Sequence, residues 1–249
     1  MSLPSTLAEI HDRMAAAAQR SGRQPGDITL IAVSKTFGAD RVREAWAAGE
    51  RNFGENKVQE GLQKIADTAD IPARWHLIGH LQSNKAKKAA LAFACIQSVD
   101  SVDLLQRLDD GAGSRPAGSE PLEVLVQVDF AGETTKFGAP PDEAAEIVRA
   151  GAAAIHLKLV GLMLLPPWSE DPEATRPWFV RLREFRDHLV QSGVPAPVLR
   201  HLSMGMSHDY ETAIEEGATI VRVGTAIFGA RRPPQPATET VPTNTETLG

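Results

Sequence analysis

With 249 residues, 42% of them hydrophobic and 23% charged, the chain can bury one large core and has the composition of an ordinary globular protein. A net charge of −6 argues against general binding to nucleic acid or to anionic membranes. One cysteine, Cys95, excludes an intramolecular disulfide and a thiolate metal cluster. Residues 1–20 lack a basic stretch followed by an apolar one, and the longest strongly apolar run, 159–165, is too short to span a bilayer, so we expect a cytoplasmic chain.

Leu7, Ile10 and Met14 recur at helical spacing over residues 5–20, with Ser5 or Thr6 as the cap, and Gly22 and Pro25-Gly26 end that helix. Residues 28–35 follow: an uncharged, partly β-branched run that ends abruptly in Lys35 and reads as a strand buried on both faces. Further strands are expected at 51–56, 75–79, 95–99, 123–129, 157–165, 198–203 and 219–223. Helices are expected between them, at 40–48, 57–66, 84–92, 102–108, 142–150, 172–191 and 207–216. Residues 111–119 hold three glycines, two serines and a proline and read as a flexible surface loop.

Eight strands alternating with helices through short connections predict an α/β fold, a closed (β/α)8 TIM-type barrel with an extra N-terminal helix. An open doubly wound sheet is the competing architecture, but no Gly-x-Gly-x-x-Gly run follows the first strand. Residues 1–232 are expected to form a single domain, and the Pro- and Thr-rich residues 233–249 a disordered tail.

In such a barrel the chemistry sits at the C-terminal ends of the strands. That end presents Lys35, Asn56, the Gly79-His80 corner, Asp100, Asp129, residues 163–166, residues 203–207 and Gly224-Thr225. A lysine closing a buried strand is either escaping to solvent or waiting in a site. Lys158 starts its strand and faces the other end, which leaves Lys35 and the loop residue Lys136 as plausible reactive amines. After strands seven and eight, where these barrels usually hold phosphate, the chain reads Ser203-Met204-Gly205-Met206-Ser207 and Gly224-Thr225. Glycines, hydroxyls and exposed backbone N–H groups there suit an anion, although Ser207 could equally be a plain helix cap. Arg222 shares a face with Gly224; pointing inward it needs an acceptor, and pointing outward it would turn Val221 and Val223 inward. His76 has no metal-ligand partner at a suitable spacing, and His201 and His208 read as structural. A reactive lysine with a phosphate cradle across the barrel mouth suggests pyridoxal phosphate, with a class I aldolase as the competitor.

Six motifs in consistent order over about residues 5–232 resemble the pyridoxal phosphate homeostasis proteins. They are Ala32-Val33-Ser34-Lys35, Phe53-Gly54-Glu55-Asn56-x-x-Gln59-Glu60 and His76-x-Ile78-Gly79-x-Leu81-Gln82-x-Asn84-Lys85, then Gly161-Leu162-Met163, Leu202-Ser203-Met204-Gly205-Met206-Ser207-x-Asp209 and Arg222-x-Gly224-x-x-Ile227-Phe228-Gly229. Lys57 departs from the pattern, where the family more often has an aromatic residue. The resemblance implies a barrel like the N-terminal domain of alanine racemase, with pyridoxal 5′-phosphate held as a Schiff base on Lys35. It places Asn56, Ser203, Ser207, Arg222, Gly224 and Thr225 around the cofactor. The function it implies is to buffer the cofactor and deliver it to apoenzymes, from a monomer or weak dimer. The enzyme alternative is an amino-acid racemase or decarboxylase. Relatives of that kind add a second domain that supplies a catalytic tyrosine or cysteine; here Tyr210 is the single tyrosine and Cys95 begins its strand.

Overall fold

Apolar, β-branched runs closed by a polar residue or a glycine alternate with segments whose apolar residues return every three to four positions, so strands and helices alternate along the chain. The computed structural model describes residues 2–132 and 137–229. The strands are β1 (Thr29–Val33), β2 (Asn52–Glu55), β3 (Arg74–Leu77), β4 (Cys95–Val99), β5 (Leu122–Val128), β6 (Leu157–Leu164), β7 (His201–Ser203) and β8 (Ile220–Val223). They pair in chain order, all parallel, and β8 closes onto β1. The helices are α1 (Leu3–Arg20), α2 (Ala39–Ala47), α3 (Val58–Asp67), α4 (Ala86–Ala92), α5 (Val102–Ala112), α6 (Pro141–Ala152), α7 (Arg176–Gln191), α8 (Tyr210–Glu215) and α9 (Thr225–Phe228). The expected eight-stranded barrel with an added N-terminal helix is the fold observed. Among the described residues, no helix is long and apolar enough to cross a membrane.

Two cores follow from the strand alternation. Outward residues such as Leu30, Ala32, Phe53, Leu77, Val221 and Val223 pack under the helices. Inward residues Ile31, Val33, Ile78, Leu125, Val160, Met163 and Ile220 fill the barrel. Helix α1 buries Leu3, Leu7, Ile10 and Met14, a stripe at helical spacing worth about 1.5–3 kcal/mol per side chain, against α2, α8 and α9.

Several boundaries differ from the expectation, among them the end of β1 at Val33 rather than Lys35 and the start of α7 at Arg176 rather than residue 172, and four have a nameable local reason. Helix α1 starts two residues earlier than expected, because Ser2, rather than Ser5 or Thr6, is the cap, its hydroxyl accepting the Ser5 N–H. Helix α5 runs on to Ala112, into the stretch expected as loop. Gly111 lies so close to α4 that a Cβ would sit 2.9 Å from the Ala90 Cβ, so this glycine serves helix packing rather than a turn. Prolines 195 and 197 hold residues 196–199 in a 3-10 turn and confine β7 to His201–Ser203. Helix α8 starts at Tyr210 rather than at residue 207, because Asp209 turns back to accept the Met206 N–H at 2.6 Å.

Candidate functional site

Lys35 leaves β1 on a tight turn. The Ser34 carbonyl accepts the Phe37 N–H at 3.0 Å, which closes the chain over Lys35 and Thr36. Thr36, third in that turn, has φ 69°, a left-handed conformation that glycine or asparagine adopts readily and a β-branched residue does not. Beneath the turn, the Ser34 hydroxyl donates to Glu55 Oε1 at 2.6 Å. The Lys64 ammonium reaches from α3 to the same carboxylate oxygen and to the Ser34 carbonyl, the latter at 2.6 Å. Glu55 is fully buried and Lys64 nearly so.

Above this end of the barrel opens a cavity of about 360 Å³. Its polar wall brings together Lys35, Asn56, Ser207, Arg222, Gly224 and Thr225, six of the seven residues singled out in the sequence. Its apolar wall includes Val33, Ile78 and Leu165, with Trp168 at the rim, 69% exposed. Gly205, φ 92°, swings the chain after β7 so that Ser207 reaches this wall. The Ser207 hydroxyl accepts the Gly224 N–H at 3.2 Å and the Ala226 N–H at 3.4 Å, joining the loops after β7 and β8. Ser207 therefore caps the turn after β8 and not its own helix. Asn56 Oδ1 is buried in the wall with no hydrogen-bond partner among the described residues.

Ser203, the seventh residue, lies beneath the cavity and does not line it. It is fully buried in the barrel, where its oxygen accepts from Arg222 Nη1 at 2.6 Å and donates to Gln97 Oε1 at 2.6 Å. The second arm of Arg222 donates to the Leu164 carbonyl at 2.8 Å. Arg222 thus points inward, in register with inward Ile31, and Val221 and Val223 point outward. Burial lowers its pKa to about 10, partly opposed by the charge of Asp209, so the guanidinium stays positive at neutral pH. The chain of bonds continues downward. Because Gln97 accepts with its oxygen, its nitrogen faces His76 Nδ1 at 3.3 Å, which leaves His76 Nε2–H to donate to Asn52 Oδ1 at 3.2 Å. Burial, with the charges of Arg74 and His201, pushes the His76 pKa down to about 3, so the ring is neutral.

Residues 6–232 match the family model of the alanine racemase N-terminal domain. The chain is 45% identical to the pyridoxal phosphate homeostasis protein of Pseudomonas aeruginosa over 229 residues, covering 92% of this chain and 96% of that one. The chain belongs to the pyridoxal phosphate homeostasis protein family. A solved structure of PipY from Synechococcus elongatus, with PLP bound, superposes with a TM-score of 0.76 at 41% identity, over 88% of this chain and all of that one. Alanine racemase from Corynebacterium glutamicum, 18% identical with a TM-score of 0.63 over 89% of this chain and 60% of that one, shares the fold.

Within this family member the other sequence candidates are scattered. Lys158 is exposed near the start of β6, and Lys136 lies outside the described residues. Cys95 is buried at the first position of β4, where burial pushes its thiol pKa up. Tyr210 is buried under α1, with the Arg13 guanidinium 5.4 Å from its ring, and burial raises its pKa. His201 bonds to the Thr219 hydroxyl at 3.1 Å, the structural role expected of it, but His208 lines the cavity. His80 pairs with Asp100 at 3.4 Å and stacks on Phe137, beside the main cavity. Asp129 accepts N–H groups of its own loop at 2.9 and 3.2 Å. No group of three or more His, Cys, Asp or Glu among the described residues could hold a metal ion.

Sequence reasoning missed Glu55 as a buried anchor, Lys64, Gln97 and Trp168 altogether, and the place of His208 in the cavity wall. One signal was available for Lys64: it shares with Val58 and Gly61 the buried face of α3, where a lysine needs a carboxylate, and Glu55 ends the preceding strand.

Proposed function

We propose that the protein binds pyridoxal 5′-phosphate in this cavity, holds it covalently on Lys35, and buffers and delivers it to cofactor-free enzymes. The observation that carries the reading is the convergence of one lysine amine, one buried guanidinium and a hydroxyl-lined loop pair on a single cavity of about 360 Å³. That volume lies at the small end of ordinary cofactor pockets. The polar groups suit the cofactor: an amine for its aldehyde, hydroxyls and backbone N–H groups as donors to its phosphate, and the unpartnered Asn56 Oδ1 as an acceptor within the wall. The PLP-bound PipY relative supports the same assignment.

When bound, the cofactor supplies an aldehyde that links reversibly to an amine, the nitrogen bonding to the aldehyde carbon as the oxygen leaves as water, and a ring that withdraws electrons. Lys35 offers the amine from a rigid turn. Ser207 and Thr225 offer hydroxyl donors, and the apolar residues Val33, Ile78 and Leu165 exclude water from one side. Arg222 keeps a fixed positive charge in the wall, and a ring nitrogen set against it resists protonation, which weakens the electron sink that racemisation and decarboxylation need. The single tyrosine lies beneath α1 and not in the cavity wall, so it offers no proton there. General acid–base help is worth roughly two to four powers of ten, so these two features favour the carrier over the racemase or decarboxylase alternative.

The test is to load the protein with the cofactor, reduce it with borohydride and map the modified peptide. The expected label is on the peptide containing Lys35; a label on Lys136 or Lys158 instead overturns the assignment. The loaded protein should reactivate a cofactor-free transaminase and leave single enantiomers of amino acids unracemised. Multiple-turnover racemisation would move the reading to the enzyme.

A further inference from the structure

Ser34 is held at each of its polar groups. Its N–H donates to the Gly54 carbonyl at 3.1 Å, its hydroxyl to Glu55 Oε1 at 2.6 Å, and its carbonyl accepts from Lys64 Nζ at 2.6 Å and from Phe37 N at 3.0 Å. Two of these four bonds come from a buried ion pair. Stability is a poor reason to keep such a pair, because well-packed apolar residues of similar volume hold a fold at least as well. Apolar residues could not accept from the Ser34 hydroxyl or donate to its carbonyl. Immediately after Lys35, Thr36 occupies a left-handed conformation that its branched Cβ disfavours. A strained residue persists only where its surroundings over-determine it, and here the surroundings are the clamp on Ser34.

We infer that the buried Glu55–Lys64 pair positions Lys35: by clamping Ser34 it holds the strained Ser34–Phe37 turn that aims the amine into the cavity. Glu55 and Lys64 are positioning residues, acting through the turn. If the clamp is loosened, Thr36 relaxes to negative φ and carries Lys35 with it. A glycine at position 36 has no such strain to release, so it should free the turn from its dependence on the pair. The inference rests on the reading that Lys35 is the attachment point, and the test separates the two.

Four full-length proteins are compared: unaltered, Glu55→Gln/Lys64→Met, Thr36→Gly, and the triple variant. Two readouts are used: the rate at which borohydride traps pyridoxal 5′-phosphate on Lys35, and hydrogen exchange at the Phe37 amide in the cofactor-free protein. The double variant should trap about tenfold more slowly and exchange Phe37 about tenfold faster, as expected for losing a charge-assisted hydrogen bond. The triple variant should regain most of both, and Thr36→Gly alone should stay near the unaltered protein. Should the double variant fold poorly, Ser34→Ala removes only the hydroxyl arm and should give a smaller loss that Thr36→Gly again restores. Unchanged trapping and Phe37 protection in the double variant, or a triple variant no better than the double, would overturn the inference. Absence of trapping on Lys35 in the unaltered protein would count against the cofactor reading instead, while the Phe37 exchange would still decide the clamp.

Discussion

The two sides of the cavity handle buried charge in opposite ways. On the β1–β2 side the charge lies below the wall and is compensated: Lys64 meets Glu55, and together they grip Ser34. On the β7–β8 side the charge is in the wall itself, and the bonded partners of Arg222 are a hydroxyl and a carbonyl, both neutral. A compensated pair projects little field and works as a mechanical clamp. A guanidinium whose bonded partners are neutral, with Asp209 acting only through its charge, keeps more of its field for whatever occupies the cavity. One side is built to hold an atom in place and the other to set the electrostatics around it.

Breaking the compensated side should have the largest effect. Glu55→Ala leaves an ammonium buried and unpaired and should cost about 3–5 kcal/mol of stability, read as a shift in the urea midpoint at constant slope. Replacing both partners in Glu55→Gln/Lys64→Met should cost far less, since no bare charge remains. On the other side, the hydrogen-bonded partners that Arg222→Met strands are neutral, and the change should cost about 1–3 kcal/mol. If Glu55→Ala unfolds at the unaltered midpoint, the pair is not the buried, compensated unit described.

Two serines, Ser203 at the end of β7 and Ser207 in the loop after it, sharpen the contrast at a smaller scale. Ser203→Ala removes the link between Arg222 and Gln97 inside the barrel and should lower stability by about 1–3 kcal/mol. Ser207→Ala uncaps two backbone N–H groups and should cost about 0.5–2 kcal/mol of stability. Its effect should fall on affinity as well: about tenfold weaker binding of pyridoxal 5′-phosphate, with little change for pyridoxal, which lacks the phosphate. Equal affinities of unaltered protein and Ser207→Ala would leave Ser207 as a loop tether only.

The division between these serines was not legible in the sequence, where both sit in one motif and suit one anion site. What separates them is that Ser203 still belongs to β7 and faces inward, whereas Gly205 turns the chain before Ser207. Most strands were legible because an apolar run ends at a polar residue, a glycine or, after β6, a proline pair. The rule that places function at strand ends therefore picked out Lys35, Asn56, Gly224 and Thr225. Arg222 was legible as a candidate but not in its direction, which depends on an acceptor 19 residues away in sequence. Lys64 drew no notice in the sequence, since lysine on a helix is normally solvated, and only its buried neighbours on α3 argue otherwise. Gln97 was hidden in a short strand whose apolar neighbours gave no reason to expect a hydrogen-bonded chain across the barrel.

That chain supplies the mildest test near neutral pH. At its lower end His76 donates once and accepts once, to Asn52 and from Gln97, and a second ring proton would displace the Gln97 N–H from Nδ1. The folded protein therefore keeps the ring neutral down to about pH 3, whereas an unfolded histidine takes up its proton near pH 6.5. Between those values the unfolded state binds more protons, so the contribution of His76 to stability is complete above pH 6.5 and declines as the pH falls. The slope approaches about 1.4 kcal/mol per pH unit, which amounts to at most about that much between pH 6.5 and 5.5. His201, whose pKa burial also lowers, adds a slope of the same sign, and Glu50, whose pKa burial raises, adds one of the opposite sign, so a single pH profile does not isolate His76. The difference between the unaltered protein and His76→Gln does. The unfolding free energy of the variant should fall about 1 kcal/mol less per pH unit between pH 6 and 4, and the two curves should run parallel above pH 7. Parallel curves throughout would mean that the folded protein admits the proton, and that the bonds from Arg222 to Asn52 do not hold His76 in one tautomer.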